Sequence, residues 1–221
     1  MLRVEFHCHT NASKDSLTTP AELVDTCRAK SIDRVIVTDH NSIRGALQAQ
    51  EIDKKRVIIG EEIMTTKGEI LAAFVQEEIP AGLAPEETIA RLRDQQAFIS
   101  VSHPYDHYRS GHWDEANLLA IIPLVDAIET YNARCFNKRC NQLAEAFARQ
   151  HSLASTVGSD AHAAFELGNA TLLLPNFIDS DSLRAVIRQG QAQVALAPFW
   201  VHFFSRYAVW KKAKSKRETS N

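Results

Sequence analysis

Three strand-then-helix units fall within the first 60 residues, and that alternation confines the chain to a parallel α/β sheet or barrel. Residues 2–6, 34–38 and 56–59 are short runs of β-branched and apolar side chains, the composition of buried strands. Between the first two, Thr19, Pro20 and Glu22 open a helix, with a capping hydroxyl, a proline in the first turn and a glutamate three residues after the cap. This helix should bury Leu23, Val24 and Cys27 and stop near Lys30 and Ser31; residues 42–50 form a second, shorter one. In such sheets the working groups gather at the carboxyl ends of the strands.

Those ends carry metal-binding and acidic side chains. The first strand ends in His7-Cys8-His9-Thr10, the second in Asp39-His40-Asn41 and the third in Gly60-Glu61-Glu62. Side chains two apart on an extended chain share a face, so His7 and His9 present their imidazoles together and Cys8 points away into packing. Residues 69–76 read as a strand antiparallel to the third, since only residues 64–68 intervene. A helix over 85–96, with Ile89 and Leu92 inward, leads to a strand over 97–102 that ends in His103-Pro104. A helix over 113–122 and a strand over 125–130 follow, then Tyr131, Asn132, Ala133 and Arg134. A long helix over 137–151, with Leu143, Ala144 and Phe147 on one face, precedes the run 154–158 and its terminus Ser159-Asp160-Ala161-His162. A strand over 169–174, a helix over 180–188 and an apolar segment over 194–204 complete the expected elements. One domain is expected over 1–205, followed by a basic, solvated and mobile tail over 206–221.

Composition narrows the function. At 221 residues with 45% hydrophobic and 24% charged side chains, the chain can bury one substantial core and is not a mostly disordered polymer. A net charge of -2 argues against a broad nucleic-acid-binding surface. No apolar stretch approaches the roughly 20 residues that span a bilayer, so no membrane partner is expected. The amino terminus enters a strand without the progression of a secretory signal, which makes the cytoplasm the expected location. None of the four cysteines, Cys8, Cys27, Cys135 and Cys140, forms a CxxC pair, and all are expected as reduced thiols.

Collected by position, the strand ends supply His7, His9, His40, Glu62, His103, Asp160 and His162, with Asp15 on the first loop. Five of the nine histidines stand at such ends. Imidazole mixed with carboxylate suits zinc, manganese or iron, and this many ligands implies two or three divalent ions. Glu62, a carboxylate among histidines, is the natural bridge. Asp39 is expected to orient His40 or cap the next helix, and Glu61 to support the site or bind in it.

The motifs at His7-Cys8-His9-Thr10, Thr38-Asp39-His40-Asn41, Gly60-Glu61-Glu62, Ser102-His103-Pro104 and Gly158-Ser159-Asp160-Ala161-His162 resemble, in order, those of the PHP domain, the polymerase and histidinol phosphatase family of metal-dependent phosphoesterases. The resemblance spans residues 1 to about 170. It implies a distorted (β/α)7-like barrel in a single domain and a trinuclear centre. It also implies that His7, His9, Glu62 and Asp160 hold one ion, that Asp15, His40 and His162 hold a second, and that Glu62 and His103 hold a third. The last ligand of the third site departs from the family: where many members carry His or Cys, this chain offers Asn132, Cys135 or Asn137.

Ions a few ångströms apart activate a shared water and stabilise in-line displacement at phosphorus, so Glu62, Asp160 and His103 are the expected catalytic groups and no Ser or Cys nucleophile is required. Charge on the phosphoryl oxygens calls for cationic donors, for which Arg134, Arg109, His107 and Tyr108 are candidates. The expected activity is hydrolysis of a small phosphate monoester, a nucleotide or an amino-alcohol phosphate. The alternatives are trimming of an oligonucleotide and a metal-binding module without turnover.

Overall fold

The computed structural model describes residues 1–219. In chain order the elements are β1 (Leu2–Glu5), α1 (Pro20–Ala29), β2 (Arg34–Val37), α2 (Arg44–Ile52), β3 (Val57–Met64), β4 (Glu69–Ala73), α3 (Pro85–Asp94), β5 (Phe98–Val101), α4 (Glu115–Ile121), β6 (Ala127–Asn132), α5 (Lys138–Gln150), β7 (Ala154–Gly158), β8 (Ala170–Leu174), α6 (Ser180–Val186), β9 (Gln191–Val194) and α7 (Val201–Thr219). The helix signals act as expected. Thr19 accepts from the Glu22 amide at 3.2 Å while its own amide donates to the Glu22 carboxylate at 2.8 Å, and Leu23, Val24 and Cys27 are buried.

The strands lie side by side as β7-β6-β5-β4-β3-β2-β1-β8-β9. β1, β2 and β3 run parallel, as do β5, β6 and β7; β4 is antiparallel to both its neighbours, and β8 and β9 extend the sheet beyond β1 in antiparallel fashion. The alternating side chains serve two layers. Val35 and Val37 of β2 pack with Ala46 and Ala49 of α2, whereas Ile36 joins Phe6 and Phe98 in a separate cluster.

The sheet is nearly closed by the meeting of the β1 and β7 ends. The His9 amide donates to the Ala161 carbonyl at 2.9 Å, and Cys8 forms a parallel bridge with Ala161. Beneath that bridge Glu5 is wholly buried and accepts from the amides of Ser159 (2.9 Å), Gly168 (3.0 Å) and His7 (3.3 Å) and from the Ser159 hydroxyl. Burial pushes its carboxyl up to about 7 against the downward pull of those donors.

Three expectations need correction. The third strand does not stop at Ile59 but continues through Met64, because β4 supplies antiparallel partners from Gly60–Ala73 to Met64–Glu69. Glu61 and Glu62 are therefore strand residues on opposite faces. On α5, Leu143 is 39% exposed, and the inward face is made by Cys140, Asn141, Ala144, Phe147 and Ala148. Residues 206–219, expected as a mobile tail, continue α7, and the Lys212 ammonium donates to the Asn11 and Ser13 carbonyls at 2.7 and 2.6 Å. The inward stripe Val201, Ser205 and Ala208 seats the helix on the barrel. The last two residues of the expected tail, Ser220 and Asn221, lie outside the described residues. Among the described residues no helix is long and apolar enough to cross a membrane.

Glu5→Gln replaces an acceptor by an amide nitrogen that faces backbone donors. The variant should lose about 1–3 kcal/mol of stability, read as a lower urea midpoint at unchanged slope.

Candidate metal centre

The first cluster forms where β1 ends. His7 and His9 are buried, and the His7 Nδ1 lies 3.0 Å from a Glu129 oxygen on β6. An imidazole that gives its Nδ1 proton to a carboxylate offers the Nε2 lone pair. That Nε2 stands 3.3 Å from Glu62 and 3.6 Å from Asp160. His9 Nε2 approaches the same two carboxylates, at 3.5 and 3.2 Å. Gly158 permits this arrangement, because a Cβ there would overlap His7 and the Glu129 carboxylate.

The second cluster joins β2, β7 and the first loop. His40 and His162 direct their Nε2 atoms to one Asp15 oxygen, at 3.5 and 3.3 Å, and His40 Nδ1 lies 3.0 Å from Glu62. His162 Nδ1 donates to the Asp160 carbonyl at 2.8 Å. Asp160 itself has φ 50°, a left-handed turn that brings both it and His162 to one centre. Asp39 neither orients His40 directly nor caps α2. Its oxygens accept from the Thr10 amide and hydroxyl (2.7 and 2.6 Å) and from the Ser13 amide and hydroxyl (3.2 and 2.5 Å), which shapes the loop leading to Asp15. Gly45 lets α2 come close enough for this, since a Cβ there would meet Thr10 and Asp39. Glu61 is buried on the other face, where it accepts from the Ile79 amide at 3.0 Å.

At the end of β5, His103 Nε2 lies 3.1 Å from Glu62 and 3.4 Å from Glu69. Glu69 and Glu129 join this cluster although neither is among the candidates read from the sequence. A signal for Glu69 was present: a strand running against its neighbours brings its first residue, not its last, to their carboxyl ends. Glu129 stands near the end of the strand expected over 125–130, but its partner, His7, comes from the far side of the barrel. Of the residues weighed for the third site, Asn132 Nδ2 donates to Glu129 and Asp160 at 3.1 and 3.2 Å, Asn137 caps α5 by accepting from the Arg139 amide, and burial pushes the Cys135 thiol well up.

The candidate donors part company. Arg109 places Nη1 2.5 Å from Asp160 and Nε 3.1 Å from Asp106. Arg134 is buried and spans Ser205 Oγ (2.8 Å), the Val201 carbonyl (3.3 Å) and Glu166 (3.5 Å). His107 is exposed beside His112, with ring centroids 4.9 Å apart. Tyr108 packs against Phe136, which stacks on His202 at 4.2 Å. A cavity of about 670 Å³ opens over the cluster, lined by Asp15, His40, Glu69, Arg109, Arg134 and His162, with Tyr108, Phe136 and His202 among its walls.

Electrostatics bind these groups into one unit. Burial alone would raise the Glu62 and Asp160 carboxyls, but His7 and His40 around the first, and Arg109 and His7 around the second, hold both well below the usual range. Burial would lower His7 and His40, yet the neighbouring carboxylates raise both well above an ordinary histidine. His9 goes the other way, to about 4, by burial and by the nearness of His162 and His40.

His7 Nε2, Glu62 Oε2, Asp15 Oδ1 and His103 Nδ1 are buried without a hydrogen-bond partner. Such atoms are costly unless something binds them. Three sets, His9/His40/His162, His7/His9/Glu62 and His40/Glu62/Glu69, each hold ligand atoms within 4.8 Å of one another. Imidazole nitrogens and carboxylate oxygens at this spacing fit divalent cations, and His7 Nε2 and Glu62 Oε2 belong to both groups.

A profile of the PHP domain matches residues 5–121, and one for the PHP-associated region matches 138–192. An uncharacterized protein of Methanocaldococcus jannaschii is 36% identical over 172 residues, covering 76% of this chain and 69% of its own. PsfC from Pseudomonas syringae has a similar structure, with a TM-score of 0.68 at 18% identity over 96% of this chain and 99% of that one. So does a two-domain protein containing a predicted PHP-like metal-dependent phosphoesterase from Bacteroides vulgatus, with a TM-score of 0.69 at 19% identity. That match covers 87% of this chain and 64% of the other, so the chain spans less than two thirds of that protein's length. With its strand-end motifs converging on one cluster in a nearly closed barrel, the chain belongs to the PHP domain family and is a metal-dependent phosphoesterase-like domain.

Proposed function

We propose that this chain is a divalent-metal-dependent phosphoesterase that hydrolyses a small phosphate monoester, a nucleotide or an amino-alcohol phosphate. The observation that carries this reading is the convergence of imidazoles and carboxylates from the ends of β1, β2 and β7 and from β3 into three sets whose ligand atoms lie within 4.8 Å of one another, beside one open cavity. His7, His9, Glu62 and Asp160 would hold one ion, and Asp15, His40 and His162 a second, with His103 and Glu62 facing a third position. When bound, zinc, manganese or iron supplies Lewis acidity and a water of lowered pKa. The chain's own residues do the rest. Arg109, beside Asp160, offers a cation to the phosphoryl oxygens. Arg134 lines the cavity and braces the Asp160 segment through its carbonyl at 3.5 Å. Glu62 is kept ionised by its imidazole neighbours, and Glu129 fixes the His7 ring.

A second reading, trimming of an oligonucleotide, is favoured by the exposed rings of Tyr108 and Phe136 at the cavity, on which a base could stack.

Three outcomes are expected. Chelator-stripped protein reloaded with manganese or zinc should hydrolyse an aryl phosphate, and His9→Ala or Asp160→Ala should reduce the rate to background with far-UV dichroism unchanged. Activity confined to labelled oligonucleotides would favour the nuclease instead, and inertness towards both with metal bound would leave a binding module. Glu129→Gln should weaken metal affinity about 10–100-fold, measured by competition with a chelating dye, because the His7 ring loses its anionic partner. Metal binding should also release protons. His7 and His40 titrate above ordinary histidine, so near neutrality an incoming ion displaces protons, and apparent affinity rises with pH. Calorimetry in buffers of different ionisation enthalpy reads that release directly.

A further inference from the structure

Resting on the phosphoesterase reading above, we propose that Glu69 is a metal ligand and that it completes, with His103 and Glu62, an oxygen-rich third cation site. The two asparagines on the β6 side are engaged elsewhere. Asn132 turns its amide nitrogen to the carboxylates of Glu129 and Asp160, and its oxygen accepts from the Arg134 amide at 2.9 Å. Asn137 is engaged at the start of α5, accepting from the Arg139 amide at 2.9 Å.

The ligand comes from the opposite side of β5. Because β4 runs antiparallel, its first residue lies against the end of β5, where the Ser102 amide donates to the Glu69 carbonyl at 3.1 Å. The Glu69 backbone is fixed from two more directions. Its amide donates to the Gly111 carbonyl at 3.0 Å, and the Trp113 indole donates to its carbonyl at 3.0 Å. The carboxylate packs so closely on Gly111 that a Cβ there would overlap it. Thus held, one Glu69 oxygen lies 3.4 Å from His103 Nε2 and the other 3.9 Å from His40 Nδ1, while Glu62 faces the same two rings at 3.1 and 3.0 Å. A cation between two largely buried carboxylates that share the same pair of imidazoles would relieve their mutual repulsion. Two carboxylates and one imidazole make a harder donor set than the histidine-rich positions alongside, and such a set favours manganese over zinc.

The test counts ions. Full-length protein, stripped and reloaded with manganese, is desalted and its metal-to-chain ratio read by plasma mass spectrometry, with the titration followed by calorimetry. Wild type should retain three ions and Glu69→Gln two, with the weakest binding step removed and the dichroism unchanged. Glu69→Asp, which keeps the charge on a shorter arm, should retain that step at least tenfold weakened. An unchanged ratio and isotherm in both variants would overturn the assignment of Glu69 and leave the phosphoesterase reading standing. Failure of wild type to bind any ion would overturn both.

Discussion

The structure depends on the burial of one carboxylate, Glu62, amid four imidazoles. His7, His9, His40 and His103 all place a ring nitrogen within 3.5 Å of it, and its side chain has no exposure to solvent. Unneutralised charge at that depth would destabilise the fold by several kcal/mol. The barrel therefore has to deliver its counter-charges accurately, and its construction follows from that need. β1, β2 and β5 end around one point, and β3 passes it with Glu62 turned inward. The seam is drawn shut by Glu5, another carboxylate that the chain buries and then surrounds with donors.

Around this hub the supporting contacts act at one remove. Glu129 fixes a ring, Asp39 shapes the loop that carries Asp15, and Gly45 and Gly158 keep space clear where a methyl group would intrude. Ser102 gives its hydroxyl to Glu62 at 2.7 Å. These contacts hold the clustered imidazoles and carboxylates in place, as a preorganised cation site would require.

The strand ends were legible in the sequence because a β-branched run followed by His, Asp or Glu signals both an element and its working end. His7, His9, His40, Glu62, His103, Asp160 and His162 could all be found in that way, and Asp15 by its place on the loop between two of these units. What could not be found were roles set by partners distant in the chain. Glu129 matters because it meets His7 across the barrel, a partner its own strand does not disclose. The extent of β3 was underestimated because Gly60 reads as a stop until β4 is seen to pair with it. The carboxyl-terminal helix was missed for a related reason. Its outward face carries Phe203, Tyr207 and Trp210 and its inward stripe is narrow, so the periodic apolar pattern of a buried helix is absent.

That helix has a mechanical consequence. Lys212 grips the carbonyls of Asn11 and Ser13, just before Asp15, while Arg134 grips Val201 and Ser205 from the far side of the cavity. One rod thus straps together the first loop and the turn after β6. Strain applied to the carboxyl terminus, by a fused domain or a docked neighbour, would be transmitted along α7 to the arm bearing Asp15.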